Sequence, residues 1–188
     1  MAKDMVQVIG APELFNRVTM ATPTAVVARD AAISQYLLTI QNLPQLPETN
    51  KNQVYPIDVF LHYEVEGYNK LIERVTHDLI LLQRKSRGEI LPSPQLNEVI
   101  YSINRNVVPL SWTQQSFQSA RTVSDWLRDL SIKLKTLRSY ILEEKAPAYN
   151  LSVFQRPDRF LESVKQTYAR RQFKDIDNIE FNVEVSLD

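Results

Sequence analysis

The sequence predicts a mainly α protein with a small β element (α+β), in which a helical bundle precedes a strand-helix-strand unit at the C-terminus. Two observations predict the bundle of two long and several shorter helices. Long segments carry apolar residues spaced alternately four and three positions apart, and glycine occurs only three times in 188 residues. The alternation of apolar and polar residues from Ile179 to Leu187 predicts the β element.

Composition excludes several classes of function. The chain has 22 basic and 22 acidic residues, whereas nucleic-acid binders usually carry a basic excess. The absence of cysteine excludes disulfides, thiolate catalysis and cysteine metal ligands. No apolar run approaches the ~20 residues of a membrane span, and the N-terminus lacks the apolar core of a signal peptide. We therefore expect a cytoplasmic protein with neither nucleic acid nor membrane as a partner.

Residues 1–55 are predicted to form an N-terminal helical segment and a proline-rich linker. Met5 to Ile9 could be a short strand. Thr24 is a suitable cap for a helix that runs to about Gln41, and residues 42–56 have the composition of an exposed linker. The residues of this helix that are expected to face inward are Val26, Val27, Ile33, Leu37 and Ile40.

A long helix from about Ile57 to Lys85 opens the bundle predicted over residues 56–145. Gly88 fits a left-handed cap at its end. Ser93 then caps a shorter helix with Pro94 at the first position. The long helix carries an apolar seam that needs another helix to pack against. The seam consists of Leu61, Val65, Tyr68, Ile72, Val75, Leu79 and Leu82.

A second long helix is predicted from about Val123 to Leu142. Thr122 is its expected cap, and Asp125 three residues later approaches a capping box. Trp126 widens the apolar face, which also needs a partner surface. The stripe on this face consists of Val123, Leu127, Leu130, Leu134, Leu137 and Ile141.

Residues 146–188 are predicted to form the strand-helix-strand unit. Tyr149 to Phe154 is predicted as a strand, Pro157 opens a helix, and Ile179 to Leu187 forms the second strand. Because a two-stranded ribbon is marginal in water, we expect the last strand to pair with another part of a larger protein, or the natural chain to continue beyond Asp188.

No catalytic or metal-binding motif is visible. His62 and His77 lie fifteen positions apart on one predicted helix, too far to share a metal unless other elements supply partners. Glu64 and Glu66 are two positions apart, so they face different sides of the helix and are expected to be solvated. No phosphate-cradling glycine loop occurs. The sequence predicts no catalytic residue, no cofactor and no metal.

One carboxylate pair does share a helix face. Asp125 and Asp129 are four positions apart, but Arg128 and Lys133 lie nearby, so surface ion pairing explains them. An unrecognised hydrolase that uses Asp125 and His77 is therefore the least favoured functional hypothesis.

Other features point to interactions. Trp112 and Trp126 are large apolar anchors that favour a core position, although Trp112, in a loop after Pro109, could contact another module. A basic cluster could meet an acidic surface or could simply be a charged helix end. The cluster consists of Lys165, Arg170, Arg171 and Lys174.

Five segments then follow one another in a fixed order. They are Glu64 to Ile72, Gly88-Glu89-Ile90 with Ser93 and Leu96, Val108 to Trp112, Val123 to Leu130, and Phe154 to Val185. In order and spacing they resemble the C-terminal region of dynein heavy chains, strongly from about Pro56 and weakly before it. The structural or interdomain candidates that this resemblance suggests are Tyr68, Asn69, Gly88, Glu89, Pro109, Trp112, Trp126, Asp129, Pro157, Phe160 and Arg170.

The resemblance, which takes in residues 1–188, implies a part of a motor rather than a whole one. It implies a non-catalytic domain that braces the AAA+ ATPase ring of a minus-end-directed microtubule motor and tunes its force and processivity. The implied partners are the AAA+ ring modules of the same heavy chain, with the microtubule reached only through the motor. The implied location is cytoplasmic and associated with the cytoskeleton, and the parent dynein could be of the cytoplasmic or the axonemal class.

Two points stay open at this stage. Many dynein heavy chains continue from the last strand into a small β-barrel, so this sequence resembles a short-tailed member or one truncated before the barrel. The alternative to a dynein domain is a free-standing helical adaptor that binds another protein through the seam from Leu61 to Leu82.

Overall fold

The computed structural model describes residues 23–49, 54–117, 120–142, 148–182 and 184. The predicted strand from Met5 to Ile9 lies outside these residues. Within them, regular structure is entirely helical, with two short 3₁₀ turns at Leu151–Val153 and Ile176–Asn178. The α-helices are α1 (Pro23–Gln41), α2 (Pro56–Ser86), α3 (Pro94–Asn104), α4 (Leu110–Thr113), α5 (Val123–Leu142) and α6 (Pro157–Gln172).

The longest helix, α2, forms the spine of the fold. Its 31 residues extend for about 46 Å at 1.5 Å per residue. Pro56 occupies the first turn, where its missing N–H would have no helical acceptor. At the other end Gly88 has φ +75°, and the N–H of Glu89 donates to the carbonyl of Arg84 at 3.0 Å. This is the Schellman arrangement, and it confirms the predicted left-handed cap.

The apolar core lies along α2, which contacts α1, α3, α4 and α6, while α5 contacts α1 and the first 3₁₀ turn. The two predicted stripes find partners inside the described residues, so no host surface is needed to cover them. Ile72 and Ile141 are only partly buried. The most completely buried side chains are Trp112, Trp126, Tyr68, Ile33, Leu71, Leu79, Leu127, Leu130, Leu134, Leu137, Val75 and Val99.

The start of α5 has the predicted Thr122 cap, but it differs from a full capping box because the Asp125 carboxylate meets the Thr122 hydroxyl rather than the Thr122 backbone N–H. The Asp125 N–H donates to Thr122 Oγ1 at 3.2 Å, and the Thr122 hydroxyl donates to Asp125 Oδ2 at 2.9 Å.

Helix α1 matches its prediction less well. It begins at Pro23, so Thr24 lies inside the first turn, and Val27 is exposed rather than inward-facing.

The predicted strand-helix-strand unit is wrong. In place of the strand from Tyr149 to Phe154, residues Leu151–Val153 form a 3₁₀ turn, because Asn150 Oδ1 accepts the N–H of Ser152 at 3.0 Å. This turn lets the consecutive side chains of Val153 and Phe154 both enter the core, whereas a strand would point them to opposite faces.

The second predicted strand is also absent from the described part of its range. Ile179 has extended dihedral angles of φ −108° and ψ 123°, but residues 179–182 belong to no sheet. Alternation favours an extended backbone, and a strand additionally needs a neighbouring edge for its hydrogen bonds. The described residues provide no such edge. Residue 183 and residues 185–187 lie outside the described part of the sequence.

Candidate interaction site along α2 and α6

The histidines of α2 do not form a reactive centre. His62 is buried, with Nδ1 2.7 Å from Thr49 Oγ1 and Nε2 3.5 Å from Glu66 Oε1. His77 is exposed, and its Nδ1 lies 3.6 Å from Asp78 Oδ1. Among the residues that the structure describes, no three His, Cys, Asp or Glu side chains are grouped to hold a metal ion.

The carboxylates of α5 form ion pairs. Asp125 Oδ1 accepts from Arg128 Nη2 at 2.7 Å, as the spacing predicts. Asp129 instead pairs with Arg121, whose Nη1 lies 2.8 Å from Asp129 Oδ2. The amine of Lys133 lies 4.6 Å from the ring centroid of Phe117 and donates to the carbonyl of Ser152. These contacts give Asp125 a structural role and no link to His77.

Glu64 joins α2 to the segment before α6. Its Oε2 accepts the N–H of Gln155 at 2.8 Å, and its Oε1 accepts the N–H of Arg156 at 3.1 Å. The side chain is only 3% exposed, so the expectation of a solvated Glu64 is wrong. Burial raises the pKa of its carboxyl above the ordinary value, and the two backbone donors oppose that rise.

Two more bonds tie α2 to the same region. The Tyr68 hydroxyl donates to the carbonyl of Val153, and burial raises the pKa of this phenol. The N–H of Ile57, in the first turn of α2, donates to Thr167 Oγ1 on α6 at 3.0 Å. This bond satisfies a helix-start donor that has no acceptor within α2. Three rings pack beside these bonds, with centroid separations of 4.5 to 5.7 Å between Phe60, Phe154 and Phe160.

An open groove of about 510 Å³ runs between the start of α2 and α6. Phe60 and Val59 contribute apolar surface, and Arg156, Arg159 and Arg170 contribute guanidinium groups. Arg156 is held beside Asp158 at 3.2 Å. Two carboxylates, Glu64 and Glu162, line the groove, but Glu64 is bonded to the backbone and Glu162 accepts from the Gln166 side chain. Among the described residues no His lines the groove, and the Ser163 hydroxyl donates to the Phe160 carbonyl, so these residues form no catalytic pair.

The middle of α2 is fixed to α4 by a second buried carboxylate. Asp78 Oδ2 accepts from Trp112 Nε1 at 2.9 Å and from Arg74 Nε at 3.0 Å. Both Asp78 and Trp112 are buried. The Trp112 ring also lies 5.8 Å from the Trp126 ring, so α2, α4 and α5 meet at this point.

Comparisons with known protein sequences indicate the family. The family model for the C-terminal domain of dynein heavy chains matches residues 13–188. The protein belongs to this family. It is 30% identical to dynein axonemal heavy chain 1 of Mus musculus over 145 residues, which are 77% of the present sequence. It is also 30% identical over 144 residues, again 77% of its length, to the Chlamydomonas reinhardtii dynein-1-beta heavy chain of the flagellar inner arm I1 complex.

A third relative is dynein axonemal heavy chain 3 of Homo sapiens, 30% identical over 140 residues, or 71% of the present sequence. The present sequence spans about 3% of the length of each of these relatives. The match therefore assigns it to the C-terminal domain of a dynein heavy chain, which is not the AAA ATPase module. None of the described helices is long and apolar enough to cross a membrane.

The candidate residues of this dynein domain fall into two groups, and their interdomain roles remain predictions. One group lies in the core, where the rings of Trp112 and Trp126 come together. The core group consists of Tyr68, Pro109, Trp112, Trp126 and Phe160. The other group lies at separate places on the surface. It consists of Asn69, Gly88, Glu89, Pro157 and Arg170, with Asp129 partly buried.

Sequence reasoning missed three polar residues that join the helices of the dynein domain. They are Glu64, Asp78 and Thr167, all buried. A signal for the first two was present, because Glu64 lies four residues before Tyr68 and Asp78 lies next to Leu79, at the border of the apolar seam. The acceptor role of Thr167 depends on the approach of α6 to α2, which spacing within one helix does not indicate.

Proposed function

We propose that this protein is a non-catalytic structural and regulatory domain of a dynein heavy chain. In this proposal it braces the AAA+ ring of a minus-end-directed microtubule motor and tunes force and processivity. Its partners are the ring modules of the same heavy chain, and it meets the microtubule only through the motor. The observation that carries the proposal is the way in which α2 is bonded to three separate parts of the fold.

Bonds at three positions along α2 join it to three different parts of the fold. Near its start Glu64 holds the segment that leads into α6. In its middle Asp78 holds Trp112 of α4, and near its end the Ser86 hydroxyl donates to Asp30 of α1. Packed interiors resist continuous deformation, so a helix fastened at these points is suited to carry a displacement along its length. That property is what a brace requires.

The relatives support a cytoskeletal location. The mouse and human relatives are named as axonemal heavy chains, and the Chlamydomonas relative belongs to a flagellar inner arm complex. We extend this to the present protein as a proposal of axoneme or cytoskeleton association. Hydrolysis of ATP and binding to the microtubule are assigned to other segments of the heavy chain.

Burial of the α2 seam within the domain argues against the adaptor hypothesis. It requires the seam from Leu61 to Leu82 to receive another protein, and the residues of this seam, apart from the partly buried Ile72, are buried within the domain itself. An adaptor that used the seam would first have to unfold its own core.

The brace proposal is tested in an optical trap with the full heavy chain. A variant that lacks residues 23–182 is expected to stall at a different force and to run for a different distance, while ATP hydrolysis without microtubules continues. The exposed substitution Ile132→Ala serves as the control and should leave stall force and run length unchanged. Equal stall forces and run lengths with and without the domain would reject the proposal.

A further inference from the structure

We propose that the C-terminal end of α6, centred on Phe173, docks into an apolar pocket edged by carboxylates on another part of the same heavy chain. The inference rests on the proposed function, because it seeks the partner within the motor. The Phe173 surface comprises Phe173, the exposed Tyr168, and the basic residues Arg170, Arg171 and Lys174.

The backbone conformation of Phe173 is the first argument. Its φ of 51° and ψ of 38° place it in the left-handed region, and the N–H of Lys174 donates to the carbonyl of Ala169 at 3.1 Å to close the turn. Glycine or asparagine normally occupies this position after a helix. The other described residues with positive φ are Gly88 and Asn106, which follow the rule. Phe173 is the exception.

Exposure of the ring is the second argument. Phe173 is 98% exposed, more than any other large apolar residue that the structure describes. Its ring therefore makes no contribution to the core that could offset the unfavourable backbone conformation. A residue that is disfavoured locally and gains nothing from its own domain fits a role in which the ring is buried by a partner.

Charge identifies the chemistry of that partner. Arg170 donates to the carbonyl of Val54 at 3.2 Å, and the Arg171 guanidinium lies 4.4 Å from the centroid of the Tyr55 ring. Lys174 Nζ lies 5.7 Å from the centroid of the Tyr168 ring. Among described residues, no carboxylate forms an ion pair with these three cations. A pocket with carboxylates at its edge would complement them.

A protein pocket fits better than a lipid surface. Asp175 and Asp177 lie two and four residues after Phe173, and Asp175 accepts the N–H of Asp177 at 3.3 Å. An anionic membrane is uniformly negative and would repel both carboxylates, whereas carboxylates at the edge of a pocket can lie opposite the cations alone.

Photocrosslinking of the full heavy chain tests the inference. A benzophenone amino acid replaces Phe173, and separate variants carry it at Leu91 or Tyr101, which are also exposed. The probe at 173 is expected to label one segment of the same heavy chain that combines apolar residues with Asp or Glu. Lys174→Glu should reduce this labelling by about tenfold, while Lys135→Glu on exposed α5 surface should not.

The outcomes separate the two proposals. If the probes at 91 or 101 reach the ring but the probe at 173 labels nothing, the docking inference fails and the brace survives. If no position reaches the rest of the heavy chain, both fail. Labelling of added anionic vesicles, of a second heavy chain, or of a segment without carboxylates also overturns the docking inference. As a second measurement, Phe173→Gly should melt no lower than the unsubstituted protein.

Discussion

The indole nitrogen of Trp112 donates to Asp78 Oδ2 at 2.9 Å, across a sequence separation of 34 residues. The same oxygen accepts from Arg74 Nε at 3.0 Å, so one oxygen of the buried carboxylate accepts two hydrogen bonds. Hydrogen bonds to charged groups are stronger than those between neutral groups. If one donor is removed, that bond no longer compensates the desolvation of the buried carboxylate. The bond therefore fixes the short helix α4 to the middle of α2.

Removal of the indole N–H should destabilise the domain. We expect Trp112→Phe to lower the free energy of unfolding by about 1–3 kcal/mol, because Asp78 then loses a donor. Urea melts measure the change, with the exposed Tyr101→Phe as a control within about 0.5 kcal/mol of the parent. A cycle with Asp78→Asn should give a coupling energy of about 0.5–3 kcal/mol, and a coupling near zero would contradict the role of the bond.

Truncation of Trp126 tests the core of α5. The ring is 0% exposed and packs against Trp112 and Phe117 at centroid distances of 5.8 and 5.6 Å. Trp126→Ala should lower the free energy of unfolding by about 3–5 kcal/mol. Ile132→Ala, on the exposed face of the same helix, should change it by less than about 0.5 kcal/mol. Equal urea midpoints for the two variants would show that the assignment of the faces is wrong.

Substitution of alanine for glycine should affect stability differently at Gly88 and at Gly67. Gly88 has φ +75° and open space around an added Cβ, so Gly88→Ala should destabilise by about 1 kcal/mol through the backbone alone. Gly67 lies inside α2, where alanine is favoured by about 0.5–1 kcal/mol. Its added Cβ would meet Gln155 Oε1 at 2.5 Å, but this is the end of a flexible side chain and can move.

Gly67→Ala is therefore expected to be neutral or stabilising. Thermal melts of both variants measure the contrast. A larger loss of stability at Gly67 than at Gly88 would mean that Gln155 is rigidly held, which would change the description of the α2–α6 junction.

Glu64 should make stability depend on pH. Burial raises the pKa of its carboxyl above the ordinary 4.5, so the folded state holds the proton more tightly than the unfolded state does. Its contribution to stability is complete below about 4.5 and is lost as the pH rises through the folded pKa. The unfolding free energy of the parent, measured relative to that of Glu64→Gln, should therefore fall from pH ~4 to pH ~7. Parallel curves over this window would refute the assignment.

Periodicity along one helix predicted much of the fold. The limits of α2 and α5 and the cap at Gly88 were predicted because they depend on neighbours within a few residues. The roles of Glu64 and Thr167 were not predicted, since both depend on the approach of α6 to α2.

The prediction of two C-terminal strands was wrong for a related reason. Alternation around Ile179 fixes a preference for extended backbone, but sheet formation depends on an edge elsewhere. Around Asn150, a local side-chain bond outweighed the β preference of the residues that follow. For the interaction site, the sequence indicated the basic cluster of α6 but not the left-handed conformation of Phe173.

Hydrogen exchange on the full heavy chain tests the brace most directly, because a brace must open as one unit. Amides of α2 around Val75 and those of α1, α5 and α6 should exchange with one common opening free energy, and Trp126→Ala should lower it equally in all four helices. Separate opening of α1 or α6, with α2 unaffected by the substitution, would show that the helices do not share strain and would contradict the account.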